Sequence, residues 1–334
     1  MNDLLERDDH YIHGILIVKD GKLVFEEYFT GYDLDIFRSG LNMEYKEFDR
    51  NTLHFQASVT KSVISALVGI ATDKGHIQGV DEKVFSFFRE YADLNKKEKD
   101  KITIAHVLAM SSGFPWDESS YPYDDNRNDV NRFINSSDPM RFILGRNLIA
   151  SPGLAFLYNS GDTNVLGEIV RKTSEFVLME FAKRYLFTPL GISSFQWLRL
   201  PYANEVTFAS GGLYLLPRDM AKIGQLYLQE GLWKGNRIIS AEWVRESIKK
   251  SIDLPAYMRV PYHAYGYGYQ WWLETYQSGP GTIYAYSAHG WGNQFIVVLK
   301  EVNMVVVFTG GAYETNSSIV FSDIIQNYIL PAVD

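Results

Sequence analysis

The pattern of hydrophobic and polar positions predicts strands at both ends of the chain. Near the start, apolar residues 12–18 and 23–29 flank an Asp-Gly turn, which is typical of a β-hairpin. Near the end, residues 294–299 and 304–309 are short apolar runs joined by a turn, as in buried strands. Residues 265–273 alternate in the manner of a further strand.

Helical patterns dominate the middle of the chain. The strongest covers residues 58–72, which are apolar almost all round and therefore predict a buried helix. Further helices are predicted near residues 83–91, 104–110, 130–135, 139–144, 163–172, 174–187, 220–229 and 318–329. The order predicts an antiparallel sheet domain flanked by helices, made of residues 1–57 and 200–334. A mostly helical domain of residues 58–199 is expected to be inserted in it.

Composition limits the possible partners and compartments. Of the 334 residues, 46% are apolar and 22% are charged, as in ordinary globular proteins, and no apolar run is long enough to span a membrane. The net charge of −8 argues against nucleic acid as a partner. The acidic first nine residues lack the apolar core of a signal peptide. A soluble protein is expected, cytoplasmic as the sequence stands or periplasmic if a signal peptide has been removed.

The absence of cysteine narrows the candidate chemistry. It excludes disulfides, thiolate metal sites and a cysteine nucleophile. The seven histidines are scattered along the chain, and no metal site is predicted from them.

The residues Ser58-Val59-Thr60-Lys61 open the predicted buried helix. Residues three apart share a helix face, so the Ser58 hydroxyl and the Lys61 amine are expected side by side. A serine becomes nucleophilic when a base removes its proton, and burial can lower the pKa of a lysine enough to make it that base. A helix-capping serine followed by a solvated lysine also explains this short pattern.

Several further segments make the chain resemble a known family. In chain order they are residues 108–113, 152–164, 187–192, 211–221 and 289–292. Together with Ser58 and Lys61 they resemble the class C serine β-lactamases, the D-alanyl-D-alanine peptidases and the carboxylesterases of the same fold. The resemblance covers nearly the whole chain. It implies a β-lactamase/transpeptidase-like fold, Ser58 as nucleophile, and neither cofactor nor metal.

The second motif of that family, Tyr-x-Asn, corresponds to Tyr158-Asn159-Ser160. The resemblance implies that Tyr158 acts with Lys61 on the proton of Ser58. The alternative for Tyr158 is a buried structural tyrosine held by its hydroxyl group. Ser160 stands where the family has its substrate-binding asparagine, so the contact with substrate at this position is expected to differ.

The third motif of the family is Lys-Thr-Gly, His-x-Gly or a Trp-Gly-Gly variant. Here it reads His289-Gly290-Trp291, or begins one residue earlier and then lacks a cation in its first position. The resemblance implies that these three residues bind substrate. It also implies an oxyanion hole made of the Ser58 N–H and the N–H of Trp291 or Gly292. A histidine satisfied inside a strand remains the alternative for His289.

These observations predict a serine hydrolase that forms an acyl-enzyme, most readily with esters or small amides. A β-lactamase or D-alanyl-D-alanine peptidase is the alternative, and a penicilloyl-binding sensor or inactive relative is a third possibility. No glutamate stands where a class A deacylation base is expected. The acidic, aromatic loop 117–131 is either a solvated surface loop or a lip over the site. The expected partner is a small ester, amide or β-lactam; the oligomeric state is not predicted.

Overall fold

The computed structural model describes residues 11–35, 42–256, 264–278, 281–313 and 321–333. The described strands are β1 (Ile12–Lys19), β2 (Lys22–Tyr28), β3 (Thr30–Asp35), β4 (Asn42–Glu47), β5 (His54–Phe55), β6 (Phe195–Trp197), β7 (Arg199–Leu200), β8 (Ala203–Thr207), β9 (Leu213–Leu215), β10 (Leu232–Trp233), β11 (Asn236–Arg237), β12 (Ala264–Tyr267), β13 (Trp272–Ser278), β14 (Gly281–Gly290), β15 (Gln294–Leu299) and β16 (Met304–Gly310).

The described helices are α1 (Val59–Asp73), α2 (Ile104–Leu108), α3 (Asp129–Ile134), α4 (Pro139–Leu144), α5 (Ser160–Ser174), α6 (Leu178–Ala182), α7 (Thr188–Leu190), α8 (Pro217–Leu228), α9 (Ala241–Ser247) and α10 (Phe321–Ile324). Five described 3₁₀ segments lie at Val84–Ser86, Arg89–Leu94, Lys97–Lys101, Lys300–Val302 and Leu330–Ala332, and π-helical turns lie at Lys183–Phe187 and Ile325–Ile329. None of these helices is long and apolar enough to cross a membrane. Residues 1–9, in which no signal peptide is expected, lie outside the described residues.

A seven-stranded antiparallel sheet joins the two ends of the chain. Its order is β12-β13-β14-β15-β16-β1-β2, so β1 near the start lies directly beside β16 near the end. Strands β15 and β16 are apolar on both faces because both faces of the sheet are covered. Helices α1 and α8 lie against one face, and residues 321–333 cover the other. The mixed α/β architecture, with an antiparallel sheet flanked by helices, agrees with the fold predicted from the sequence.

Helix α1 is the central helix of the fold. It contacts α5, α9 and the sheet strands β14 and β15, and residues 59–71 are buried. A helix surrounded on all sides requires an almost entirely apolar sequence, which is what residues 59–71 have apart from Thr60, Lys61 and two serines. The burial of the Lys61 side chain follows from this central position.

The structure differs from the predicted elements in several places. Residues 83–91 form 3₁₀ segments instead of a helix, and the helix predicted from residue 174 begins at Leu178. Residues 265–273 are not one strand, because the chain turns at 268–271 and forms the hairpin β12–β13. Strands β3, β4 and β14 were not predicted. Strands β3 and β4 are rich in polar residues and therefore lack the apolar pattern from which a strand is predicted. Residues 318–320, the start of the predicted final helix, lie outside the described residues.

Candidate active site

Ser58 is placed at the start of α1 by a short strand and a sharp turn. Strand β5 pairs with β9, and the Gln56 N–H donates to the Leu213 carbonyl at 2.9 Å. Ala57 then adopts a φ of +44°, a left-handed conformation that costs a non-glycine residue about 1–2 kcal/mol. Strain of this kind is concentrated at functional sites, where the surrounding structure enforces it. The turn leaves Ser58 partly accessible at the end of a buried helix.

Lys61 lies beside Ser58, as the sequence predicts. Its Nζ is 2.7 Å from the Ser58 Oγ and donates to the Ser210 carbonyl at 3.0 Å. The side chain is only 2% exposed. Burial lowers the Lys61 pKa to about 8, and the nearby Glu118 charge partly opposes the change. A substantial fraction of the amine is therefore neutral near pH 8 and can accept a proton from the serine.

Tyr158 is the third side chain of the group around Ser58. The Lys61 Nζ is 4.9 Å from the centre of its ring, and its hydroxyl interacts with the Ser58 side chain. Burial raises the Tyr158 pKa, and the Glu118 charge adds to the effect, while the hydrogen bond with Ser58 opposes it. The hydroxyl is therefore held as a phenol, which donates and relays a proton more readily than it removes one.

Glu118 is a site residue that sequence reasoning missed. It comes from the predicted loop 117–131, whose last residues, 129–131, begin α3 in the structure. The Glu118 Oε2 accepts hydrogen bonds from the Trp116 indole at 2.6 Å and the Ser160 N–H at 3.0 Å. The carboxyl group is buried, and its charge acts on both Lys61 and Tyr158. Its sequence context is acidic and polar, which is also typical of a surface loop. The indole of Trp116, two residues earlier, was the available signal for burial.

The second-motif segment begins α5. The Asn159 side chain accepts from the Asp162 N–H at 3.2 Å, which caps the helix. Ser160 lies in the wall of the cleft described below. Asn164, one turn further, donates to the Ser210 Oγ at 2.9 Å and accepts from the Ala209 N–H at 3.0 Å. It thereby holds the Ser210 carbonyl that binds Lys61.

The third-motif segment closely approaches the turn that precedes Ser58. Gly290 ends β14, and a Cβ there would lie 2.4 Å from the Gln56 carbonyl oxygen. No other residue fits at such a separation, so glycine is required for the strand to approach the turn before Ser58. The centre of the Trp291 ring lies 4.7 Å from the ring centre of Tyr123 and 4.9 Å from that of Tyr313.

The His289 side chain lies on the far face of the sheet, the face that residues 321–333 cover. Its Nε2 is 2.6 Å from the buried Glu274 Oε1 and 2.8 Å from the Ser287 Oγ. Its ring meets Phe295 and Phe321 edge-on in the core that covers the far face of the sheet. Trp272 stacks against both the His289 ring and the Tyr158 ring. Trp272 thus lies between the His289 imidazole and Tyr158. Gly290 and Trp291, in contrast, lie next to the site.

A cleft with a volume of about 720 Å³ opens at Ser58. Apolar and aromatic side chains supply most of its wall, and Tyr123, Tyr202, Phe208 and Trp291 are among them. The Tyr123 contact also shows that loop 117–131 borders the cleft. Among the described residues that line the cleft, Arg199 is the one cation. The site therefore suits a largely apolar molecule whose reactive carbonyl meets the serine.

The chain is similar in sequence to a known hydrolase. The chain is 25% identical over 253 residues to the 6-aminohexanoate-dimer hydrolase of Paenarthrobacter ureafaciens. That match includes 72% of the chain and 58% of the relative, so the chain spans less than two thirds of that protein.

Solved structures share the fold at low sequence identity. A putative 6-aminohexanoate-dimer hydrolase from Bacillus anthracis superposes with a TM-score of 0.73 at 22% identity, over 95% of this chain and 78% of that one. A family VIII carboxylesterase superposes with a TM-score of 0.65 at 16% identity, over 91% and 87% of the two chains. A sequence model described as beta-lactamase matches residues 6–310. Since this match includes most of the chain and the fold agrees, the protein belongs to the beta-lactamase family.

Proposed function

We propose that the protein is a serine hydrolase that cleaves esters or small amides through an acyl-enzyme on Ser58. The observation that carries the proposal is the 2.7 Å contact between the Ser58 Oγ and a buried Lys61 amine whose pKa is lowered to about 8. A nucleophile next to a base of suitable pKa is the arrangement that covalent catalysis requires.

In the proposed acylation step, neutral Lys61 takes the hydroxyl proton while the Ser58 Oγ attacks the substrate carbonyl carbon. The oxyanion is stabilised by the Ser58 N–H and by an N–H of the segment after Gly290, at Trp291 or Gly292. The tetrahedral intermediate collapses, and the leaving alcohol or amine receives a proton through the Tyr158 hydroxyl. Water then attacks the acyl-serine ester while the same groups take its proton. They return this proton to the Ser58 Oγ as the acid leaves.

The surroundings of His289 favour esters and amides over β-lactams and D-alanyl peptides. β-Lactams and D-alanyl peptides carry a carboxylate, and a cation in the third motif is the natural partner for that carboxylate. Here the imidazole is engaged by the buried Glu274 carboxylate and lies behind Trp272. A largely apolar cleft suits a neutral substrate better. Arg199 in the cleft wall is the observation that keeps a carboxylate-bearing substrate as the second candidate.

A comparison of substrates and variants tests the proposal. We expect p-nitrophenyl esters to be hydrolysed faster than a chromogenic cephalosporin, and Ser58→Ala to lose both turnover and acyl-adduct mass. Ser65→Ala, the same change two turns along α1, is the matched control and should retain activity. Turnover by Ser58→Ala at the wild-type rate would refute the mechanism. A stable acyl adduct without turnover would instead indicate a penicilloyl-binding sensor, and faster cephalosporin cleavage would indicate a β-lactamase.

A further inference from the structure

Three potential metal ligands converge away from the proposed nucleophile. His13 on β1, Asp33 on β3 and His54 on β5 each place one ligand atom within 4.8 Å of the other two. All three side chains are buried, with 0%, 8% and 1% exposure. Imidazole nitrogens and carboxylate oxygens are ligand atoms that Zn²⁺ takes in proteins. We propose that these residues form a binding site for a zinc ion.

The two imidazoles face each other, at the separation of a hydrogen bond, through the nitrogens that would bind the ion. The His13 Nδ1 and the His54 Nε2 are 2.8 Å apart. The His54 Nδ1 faces the Phe55 carbonyl at 3.3 Å. With the proton on this nitrogen, the His54 Nε2 accepts the His13 Nδ1–H, so a metal would take the place of that proton between the two rings. Tetrahedral zinc with Zn–N bonds of about 2.0–2.1 Å needs a nitrogen–nitrogen separation of about 3.4 Å, a small opening of the present pair.

The His13 ring is clamped by its neighbours. Phe48 stacks on it with ring centres 3.8 Å apart. A Cβ at Gly31 would lie 2.6 Å from the His13 Nε2, and a Cβ at Gly311 would lie 2.5 Å from it. Two chain segments therefore approach the ring closely because both are glycine at these points. A ligand held this firmly loses little freedom when it binds a metal.

Asp33 supplies the anionic ligand. Its Oδ1 accepts from the Leu34 N–H at 3.0 Å, and its Oδ2 is 2.5 Å from the Lys46 Nζ. The Lys46 side chain is 35% exposed, so its ammonium can turn into solvent when a divalent cation takes its place. Two imidazoles and one carboxylate, with water as the fourth ligand, form a donor set typical of Zn²⁺. Mg²⁺, which prefers an oxygen-only octahedral set, does not match it.

The position of the cluster indicates a structural effect. An ion there would join β1 of the main sheet, the β3–β4 hairpin and β5, which immediately precedes the turn to Ser58. Metal that binds the folded state alone stabilises it by mass action. Zinc should therefore raise the unfolding temperature, and Ser58→Ala should bind zinc as the wild type does.

The test is a titration of chelator-treated protein with ZnCl₂, followed by calorimetry and thermal unfolding, with MgCl₂ in parallel. We expect one Zn²⁺ per chain and a rise in unfolding temperature with zinc only. Asp33→Asn keeps the side-chain shape and should weaken zinc binding at least about tenfold, in line with the loss of one ligand. His54→Gln should do the same, and His76→Gln, at a half-buried histidine elsewhere, is the matched control.

A second readout uses Co²⁺ in place of zinc. A site of low coordination number gives a strong visible absorption, which Asp33→Asn should reduce and His76→Gln should leave unchanged. If His54→Gln fails to fold, Asp33→Asn decides. The proposal is overturned if wild-type protein shows no saturable 1:1 zinc binding, or if Asp33→Asn and His76→Gln bind zinc as wild type does.

Discussion

Lys61 determines how the proposed activity depends on pH. In the proposed mechanism the neutral amine is the base, and burial lowers its pKa to about 8. We therefore expect kcat/KM for a p-nitrophenyl ester to rise with pH along a limb with an apparent pKa of about 8. Lys61→Arg keeps the cation but cannot accept the proton, and should lose about 10²-fold or more. A pH–rate profile with Ser58→Ala as the blank measures both effects.

Tyr158→Phe separates the roles of the two groups. Since burial raises the Tyr158 pKa, the phenol is expected to relay the proton and not to serve as the base. The variant should lose about 10²-fold in kcat/KM, while the rising limb of kcat/KM against pH should stay near its wild-type position. A limb that disappears in Tyr158→Phe, together with near-full activity of Lys61→Arg, would show that the phenolate is the base instead.

Glu118 sets the charge environment of Lys61. Its carboxylate favours the ammonium form and so raises the Lys61 pKa against the larger effect of burial. Glu118→Gln keeps an acceptor for Trp116 and Ser160 but removes the charge. The variant should move the rising limb of kcat/KM to lower pH. Glu168→Gln, a buried glutamate paired with Arg171 in α5, is the matched control and should leave the limb in place. An unchanged limb in Glu118→Gln would contradict this role.

At the scale of elements, the meeting of β14 with the turn before α1 decides whether the site forms. A Cβ at Gly290 would lie 2.4 Å from the Gln56 carbonyl oxygen, and a backbone atom cannot move aside cheaply. Gly290→Ala should therefore displace the third-motif segment and reduce kcat/KM by about 10²-fold, the cost of a misplacement near 1 Å. Gly281→Ala, in the same strand, meets only an ordinary contact at 3.6 Å and is the control. Equal activity of the two variants would refute the close approach as the requirement.

The elements that were predicted well are those with a local signal. The first hairpin has its Asp-Gly turn, with both residues at positive φ, and β15 and β16 are uninterrupted apolar runs. The hairpin β12–β13 was misread as one strand because its turn, 268–271, continues the aromatic alternation. Trp271 in that turn is fully buried, and a turn buried by tertiary packing has no local polar signature.

At the scale of the whole molecule, burial of an acidic group in the domain core makes stability depend on pH. Asp162 is 1% exposed, and burial raises its pKa well above the usual value, with Ser112 opposing the change. A raised carboxyl pKa contributes full stability below the unfolded-state pKa, and that contribution is lost as pH rises towards the native-state pKa. Asp162→Asn should thus be more stable than wild type at neutral pH, with a gain that disappears near pH 4. Urea unfolding at several pH values measures it.

The exposed Asp100→Asn is the control for that experiment and should show no pH-dependent gain. A gain for Asp162→Asn that is constant with pH would mean that the native carboxyl is not held in its neutral form. Loss of stability at all pH values would mean that the ionised carboxylate is required by the fold.

The sequence by itself determined the groups that are local or ordered along the chain. The Ser58–Lys61 pair follows from helix spacing, and the burial of α1 follows from its apolar sequence. Tyr158 could be proposed only because its segment occurs in the order of a known family. The family match and the fold confirm the family that this order of segments indicated.

Only the tertiary structure decided which distant side chains share the site. Glu118 and Ser210 reach Lys61 from segments 57 and 149 positions away, whereas His289, in the motif itself, turns its side chain to Glu274 on the far face of the sheet. Alternate residues of a strand point to opposite faces, so Gly290 can approach the turn before Ser58 while its neighbour points away. The face of the sheet on which a given side chain lies depends on how the strands pair. The pairing of β14 with β13 and β15 is a property of the folded chain.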